Sequence, residues 1–297
     1  MFELAAHAKI NWDLQIPGRR TDGYHEIDTV MVSIGLADVL RFEEAPAFSF
    51  TCSDPSLPTD ASNLVVKAAL KLAAAANIAP HGKVHLEKRV PAGGGLGGGS
   101  SDGATTLCGL NQLWKLNFPR EKLAQLAAEL GSDVAFFLWG GWARCRGRGE
   151  IVEPLALNGV RSVRMALILP ALQVSTPLAY KALGAPPWDG SSGLRSLTDI
   201  KQQVRETLGL ESGFWSKLGW PRNDLMAAAL QVEPRLLPLR EQLERNYPGR
   251  WQMSGSGAVH LVLLKDGESA SGVASQIQLP YGVRCVDTST CSPQPAC

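Results

Sequence analysis

The sequence predicts a mixed α/β protein, because segments with strand periodicity alternate with segments that have helical periodicity. Residues 4–16 place an apolar side chain at every second position, which is typical of a strand buried on one face. Residues 84–114 indicate a strand, a glycine-rich loop and a helix with Leu107, Leu110 and Trp114 on one side. With 297 residues, 45% of them hydrophobic, the chain can form one large or two modest domains.

The first strand carries polar residues opposite its apolar face. Lys9, Asn11 and Asp13 alternate with the apolar residues Ile10 and Trp12. Charged side chains are usually exposed, so this pattern by itself predicts a solvated face.

A tight turn follows the first strand. Asp22 and Gly23 form a pair that is typical of hairpin turns, and the two residues after them are Tyr24 and His25. We expect the tip of the hairpin to present this aromatic pair at its edge.

Further short strands are predicted between residues 29 and 50, and a helix is predicted after them. Leu64, Ala68 and Leu72 recur at helical spacing. Asn63 stands immediately before this helix, where its side chain can cap the first turn.

The stretch 91–102 has six glycines within seven positions and lies between a predicted strand and a predicted helix. Glycine leaves its N–H groups accessible, and a helix N-terminus favours an anion, so the stretch predicts a phosphate site. It lacks the lysine of a Walker A loop. A dinucleotide fold is disfavoured because residues 111–119 do not form a second strand with an acidic end. A flexible linker would not be followed by the capping residue types Ser100, Ser101 and Asp102.

A second helix is predicted over residues 120–130, with Gly131 as its stop. Asp133 follows and precedes an apolar segment, a position at which a single aspartate is typically a helix N-cap. Residues 140–150 indicate a strand and a turn that close the first half.

The second half begins with a buried type of strand over residues 163–169. A helix starts near Pro177 and includes Tyr180. The small-residue turn 253–257 precedes another strand, and we expect the tail 287–297 to be loosely ordered.

Composition excludes several classes of protein. The formal net charge of +1 does not favour a nucleic-acid or membrane-surface partner. The N-terminus lacks the basic flank of a signal peptide, and the longest apolar run, 72–76, is too short to cross a bilayer. The cysteines form no C-x-x-C pair or zinc spacing, so we expect a reduced, cytoplasmic protein.

Five segments together resemble the GHMP kinases, the superfamily of galactokinase, homoserine kinase and mevalonate kinase. They are the Pro-x-Gly-Gly-Gly-Leu-Gly-Gly-Gly-Ser-Ser-Asp loop, Ala-Lys-Ile-Asn at 8–11, Gly-Arg-Arg-x-Asp-Gly-Tyr-His at 18–25, Gly-Ser-Asp-x-x-Phe-Phe at 131–137, and the turn 253–257. The long glycine run and the Tyr-His segment are most similar to the 4-diphosphocytidyl-2-C-methyl-D-erythritol kinases.

The resemblance implies an α/β (α+β) fold of two domains with the active site in the cleft between them. We expect an N-terminal domain over residues 1–153, which contains the glycine-rich ATP loop, and a C-terminal domain over residues 154–297.

The resemblance also implies roles for individual residues. Asp133 is expected to be the catalytic base and Lys9 the catalytic cation beside it. The expected nucleotide contacts are Asn63, Pro91, Ala92, Gly93, Gly94, Gly95, Leu96, Gly97, Gly98, Gly99, Ser100 and Ser101. The expected substrate contacts are Asn11, Tyr24, His25 and Tyr180.

The implied reaction phosphorylates the 2-hydroxyl of the cytidyl substrate with ATP and Mg²⁺, in the non-mevalonate isoprenoid pathway. No protein carboxylate is assigned to the metal. We expect a monomer or a homodimer, with no nucleic-acid or membrane partner. The alternatives are another small-molecule GHMP kinase and a non-catalytic nucleotide-binding module.

Overall fold

The computed structural model of the protein describes residues 1–157, 160–209 and 222–291. The strands are β1 (Phe2–Arg19), β2 (His25–Glu43), β3 (Ser49–Cys52), β4 (Lys83–Glu87), β5 (Trp142–Gly147), β6 (Ile151–Pro154), β7 (Arg164–Pro170), β8 (Trp251–Met253), β9 (His260–Leu263) and β10 (Val283–Ser289). The α-helices are α1 (Leu64–Ala76), α2 (Gly98–Leu113), α3 (Arg120–Leu130), α4 (Val134–Trp139), α5 (Thr176–Leu183), α6 (Leu197–Gly209), α7 (Met226–Val232), α8 (Leu237–Asn246) and α9 (Ala270–Ser275).

The described strands form two sheets, which confirms the predicted α/β class. The first sheet has six strands in the order β3-β4-β2-β5-β6, with β1 paired on β2. The second has four strands in the order β10-β7-β9-β8. The strands of the first sheet come from residues 2–154 and those of the second from residues 164–289. A domain boundary between residues 153 and 154 stays a prediction.

The two sheets share an apolar core. Ile10 and Val32 from the first sheet belong to one buried cluster with Leu167 and Leu261 from the second. Burial of apolar surface contributes about 25 cal/mol per Å², so this shared core holds the two halves in one arrangement.

The polar side of β1 does not face solvent, contrary to what its alternation alone predicts. Lys9, Asn11 and Asp13 are only 3%, 4% and 2% exposed. A β-bulge lies between Asn11 and Asp13, where one residue of β1 has no partner in the register with β2. Burying these polar groups costs free energy unless they are paired. The partners of Lys9, Asn11 and Asp13 therefore show which interactions keep the polar side of β1 inside the protein.

One further expectation is corrected. Residues 287–289 are not loose, because they belong to β10, which pairs antiparallel with β7 along its whole length. The rest of the predicted tail, 292–297, lies outside the described residues. Cys52, Cys145, Cys285 and Cys291 are free thiols, and a reduced protein stays a prediction.

His260 in β9 predicts an acid-sensitive step in stability. Its ring is fully buried, and burial lowers the pKa of this histidine to about 4 from its ordinary 6.5. The unfolded chain therefore binds one more proton between pH 6.5 and 4, and stability is lost as the pH falls through that window. The loss amounts to roughly 3 kcal/mol for a shift of this size. Urea unfolding of the wild type and of His260→Leu should show a flatter pH dependence in the variant.

Burial raises the pKa of Asp13 to about 6, so Asp13 also contributes to the pH dependence of stability in this range. It does not affect the comparison of the wild type with His260→Leu. A raised carboxyl pKa stabilises the fold as the pH falls, so its sign is opposite. Because Asp13 is present in both proteins, its contribution cancels in the difference. Equal pH slopes for the wild type and His260→Leu would contradict the prediction.

Candidate active site

One cavity of about 1160 Å³ lies where the two halves meet. Its walls come from the glycine loop, from β1, from the β1–β2 turn, from the start of α1, from α5 and from the turn before β9. The segments that resemble the kinase motifs therefore meet around one cavity.

The glycine loop forms one wall and leads directly into α2. Gly95 and Gly97 have φ angles of 76° and 69°, in the left-handed region that favours glycine. Helix α2 begins at Gly98, earlier than the capping residue types Ser100 and Ser101 predicted. Residues 91–100 line the cavity, whereas Ser101 is buried inside the helix and does not.

Lys9 and Asp133 form an ion pair at the cavity wall. The Lys9 Nζ lies 3.2 Å from an Asp133 carboxylate oxygen and donates to Asn11 Oδ1 at 2.7 Å. The Lys9 side chain is 4% exposed and that of Asp133 is 28% exposed. The cation is thus held inside the protein, and the carboxylate remains accessible from the cavity.

Asp133 does not act as the helix cap that its position indicates. It precedes α4, but its side chain makes no capping hydrogen bond. Gly149 packs behind it, because a Cβ at that glycine would lie 3.3 Å from Asp133 Oδ1. The carboxylate is therefore directed toward Lys9 and the cavity instead of stabilising its own helix.

Ser254 joins the turn of the second half to the site. Its Oγ accepts a hydrogen bond from the Asn11 N–H at 3.2 Å and donates to the Gly95 carbonyl at 3.3 Å. Leu96 accepts a hydrogen bond from the Lys9 N–H at 2.9 Å. The first strand, the glycine loop and the turn 253–257 are thereby fixed relative to one another.

The aromatic pair lies on another part of the wall. Tyr24 is 54% exposed, and the Arg148 guanidinium lies 4.9 Å from the centre of its ring. The His25 ring is 4.9 Å from that of Tyr180. Burial, and then the charge of Arg19, lower the pKa of His25, which favours a neutral ring with one donor and one acceptor nitrogen.

Comparisons with known proteins show the family of the chain. The family GHMP kinases N terminal domain matches residues 63–141. A 4-diphosphocytidyl-2-C-methyl-D-erythritol kinase of Synechococcus sp. is 39% identical over 289 residues, which cover 93% of this chain and 92% of the relative. The chain belongs to this kinase family. The family member of Prochlorococcus marinus is 40% identical over 94% of this chain and 89% of its own length.

A solved structure of the same family shares the fold. The crystal structure of a 4-(cytidine 5'-diphospho)-2C-methyl-D-erythritol kinase has a TM-score of 0.76 and 31% identity, covering 98% of this chain and all 100% of that chain. Membership of the diphosphocytidyl-methylerythritol kinase family confirms the predicted two-domain GHMP kinase fold and the enzyme class, a small-molecule kinase.

In this member of the kinase family, Asn63 caps α1. Its Oδ1 accepts from the Val65 N–H at 2.9 Å, and its Nδ2 donates to the Pro58 carbonyl. The residue also lines the cavity. The capping alternative is therefore confirmed, and contact with a nucleotide stays a prediction.

A buried cluster under the glycine loop was not predicted. Lys88 Nζ lies 2.5 Å from Asp38 and 3.0 Å from Asp102. Asp38 also accepts from the N–H groups of Arg89 and Val90. Burial raises the pKa of Asp102 to about 7, although Lys88 opposes the shift. The cluster ties the entry of the loop to the first turns of α2.

A second unpredicted cluster joins the two halves beside β1. Arg195 pairs with the buried carboxylates of Asp13 and Asp28, and its backbone carbonyl accepts from Arg144. Asp28 also accepts from the Arg144 guanidinium at 2.9 Å. The sequence gives little signal for this cluster, because its members are far apart in the chain and belong to no motif.

Within the described ranges, no group of three His, Cys, Asp or Glu side chains could hold a metal ion. The search for membrane spans over the same residues finds no helix long and apolar enough.

Proposed function

We propose that this protein transfers the γ-phosphate of ATP to the 2-hydroxyl of 4-diphosphocytidyl-2-C-methyl-D-erythritol, a step of the non-mevalonate isoprenoid pathway in the cytoplasm. The observation that carries the proposal is the Lys9–Asp133 pair, which faces a cavity lined by both the glycine loop and the Tyr24–His25 turn. We further propose that residues 1–153 and 154–297 are the two domains on either side of this cavity.

The glycine loop is proposed to bind the phosphates of ATP. Phosphoryl transfer depends chiefly on positioning and on compensation of negative charge, which backbone N–H donors at a helix N-terminus supply. Residues 92–100 each carry such an N–H group, and Pro91, which has none, begins this wall. Ser101 supports the loop from inside α2, and Asn63 is proposed to lie near the adenine base.

The other part of the cavity is proposed to bind the cytidine group. The exposed ring of Tyr24 can stack on a pyrimidine, and the neutral His25 ring can pair with its polar edge. Burial raises the pKa of the Tyr180 phenol, so Tyr180 stays protonated and can act as a donor as well as an apolar wall. Asn11 is proposed to contact the substrate near the reacting hydroxyl.

Asp133 is proposed to accept the proton as the hydroxyl oxygen attacks the γ-phosphorus. The new oxygen–phosphorus bond forms, the bond to the β-phosphate oxygen breaks, and ADP leaves with that electron pair. Lys9, 3.2 Å from the carboxylate, holds that carboxylate in place and is proposed to stabilise the developing charge.

Magnesium is proposed to enter with the nucleotide. Mg²⁺ keeps several waters and binds through phosphates with only one or two carboxylates, so a dedicated protein cluster is not required. The ion would neutralise phosphate charge. Among the described residues no group of three His, Cys, Asp or Glu side chains could hold a metal ion, and no protein carboxylate is assigned to magnesium.

The proposed function is tested by ADP release from the purified protein with ATP and Mg²⁺. The diphosphocytidyl substrate is offered beside homoserine, mevalonate and galactose. Turnover with the cytidyl compound alone is the expected result. Turnover with another acceptor would support a kinase but contradict the proposed substrate. ATP binding without any turnover would favour a non-catalytic nucleotide-binding module.

Tyr24→Ala is expected to raise the KM for the cytidyl substrate by about 10- to 100-fold, because stacking on an aromatic ring contributes about 1–3 kcal/mol per base. The KM for ATP should change little, because Tyr24 is proposed to contact the cytidine group only. Steady-state kinetics with each substrate varied in turn checks both statements. Tyr24→Phe keeps the ring and should recover most of the loss, whereas an equal rise in both KM values would contradict a base-stacking role.

A further inference from the structure

We infer that Thr29 is a positioning residue, which fixes the side-chain amide of Asn11 so that Lys9 is held against Asp133. The inference rests on the proposed function and adds to it a residue that no sequence motif marks. Thr29 is fully buried and is not among the residues that line the cavity. It can therefore influence the reaction only through other side chains.

Two hydrogen bonds connect Thr29 to the ion pair, and a third fixes the Thr29 hydroxyl. The Thr29 hydroxyl donates to the Asp13 carbonyl at 2.5 Å and accepts from Asn11 Nδ2 at 2.9 Å. Asn11 Oδ1 in turn accepts from Lys9 Nζ at 2.7 Å. Lys9 Nζ then lies 3.2 Å from Asp133.

The number of hydrogens on each polar atom fixes which group donates and which accepts in these hydrogen bonds. A hydroxyl has one hydrogen, and that of Thr29 is directed to the Asp13 carbonyl, which can only accept. Toward Asn11 the hydroxyl can therefore only accept, so it selects the amide orientation in which Nδ2 faces Thr29. The amide oxygen must then face Lys9, whose ammonium can only donate.

The register of β1 on β2 places Asn11 and Thr29 on one face of the sheet. Asn11 pairs with Met31, and Thr29 lies two positions from Met31 along β2, so its side chain points to the same side as that of Asn11. Such diagonal neighbours on an antiparallel pair are within reach of each other. Beyond the β-bulge, Asp13 pairs with Val30, the residue next to Thr29.

Removal of the hydroxyl leaves a buried amide without an acceptor. An Asn11 side chain without this constraint can rotate and present Nδ2 to Lys9, which places donor against donor. Lys9 then loses an acceptor at 2.7 Å and moves relative to Asp133. A displacement of about 1 Å in a catalytic group can cost about 100-fold in rate.

The test compares Thr29→Val, which keeps the shape of the side chain, with Thr29→Ser, which keeps the hydroxyl. We expect Thr29→Val to lower kcat by up to about 100-fold with little change in either KM, and Thr29→Ser to recover most of this loss. The effect should fall on kcat and not on ATP binding, because Thr29 does not line the cavity. Active-site titration with a tight nucleotide analogue normalises each rate to folded protein.

Thr106→Val is a matched control. Thr106 is also fully buried, and its hydroxyl donates to the Asp102 carbonyl at 2.7 Å. Loss of that hydroxyl should lower the Tm and leave kcat close to that of the wild type. A double-mutant cycle with Asn11→Leu provides a second measurement, because Thr29→Val should cost nothing further in kcat once the amide is absent.

The outcomes separate this inference from the proposed function. No turnover by the wild type would contradict the proposed function itself. Turnover by the wild type with the same kcat in Thr29→Val would overturn the inference alone. An additive effect of Thr29→Val and Asn11→Leu would also overturn it, since Thr29 would then act by another route.

Discussion

Replacement of Asp133 by asparagine is expected to lower kcat by about 10²- to 10⁴-fold, the range typical of a positioned general base. Asparagine keeps the size of the side chain but cannot accept the proton of the attacking hydroxyl. The change should leave the fold intact, because Asp133 makes no capping hydrogen bond to α4. Initial rates of ADP release, together with ATP binding by calorimetry, would measure the two effects separately.

Asp266→Asn is the control for this comparison, because Asp266 is an exposed aspartate outside the cavity. It should leave kcat and ATP binding unchanged. A variant Asp133→Asn that retained more than about a tenth of the wild-type kcat would contradict the role of Asp133 as the base.

The elements could be predicted from the sequence because each carries a local signal. Pro119 and Gly131 bound α3 as expected, and Asn63 caps α1. The start of α2 was predicted too late, because glycine is a poor helix former and serine a strong cap. The structure places Gly98 inside the helix because the sheet and the cavity fix the loop, which local propensity does not describe.

The candidate site could be predicted only in part. Periodicity alone predicts that Lys9 and Asp13 are solvated, and position alone predicts that Asp133 is a cap. Both interpretations fail for the same physical reason, since the partners of these residues come from other elements. Family resemblance supplied Lys9 and Asp133, but it did not supply Thr29, whose hydrogen bonds join two strands and belong to no motif.

Contacts between distant segments were the hardest to predict. Arg195 reaches Asp13 and Asp28 across more than half the chain, and no pattern of spacing relates them. Lys88 and Asp38 are likewise separated by 50 positions. Buried charges of this kind are stable only when they are paired. Their burial therefore identifies their partners once the fold is known, but the sequence alone does not show which charges are buried.

Gly95→Ala is expected to lower the free energy of unfolding by about 2–5 kcal/mol, combining about 1–2 for a left-handed backbone with about 1–3 for overpacking. Gly95 has a φ angle of 76°, and a Cβ there would lie 2.6 Å from the Ser254 carbonyl oxygen. Because that neighbour is backbone, the loop must move away from the turn 253–257. ATP should therefore bind more weakly to the variant, which calorimetry on the folded protein would measure.

Gly99→Ala is the matched control for Gly95→Ala, because Gly99 belongs to the same glycine-rich stretch but lies in the first turn of α2. Its nearest neighbour to an added Cβ is a Leu64 methyl at 3.9 Å, an ordinary contact. Alanine in a helix is favoured over glycine by up to about 1 kcal/mol, so this variant should be as stable as the wild type or slightly more so. If urea unfolding showed the two variants to be equally stable, the loop would not depend on close approach to the turn of the second half. A large difference would mean that the phosphate wall and that turn are held together by backbone contact.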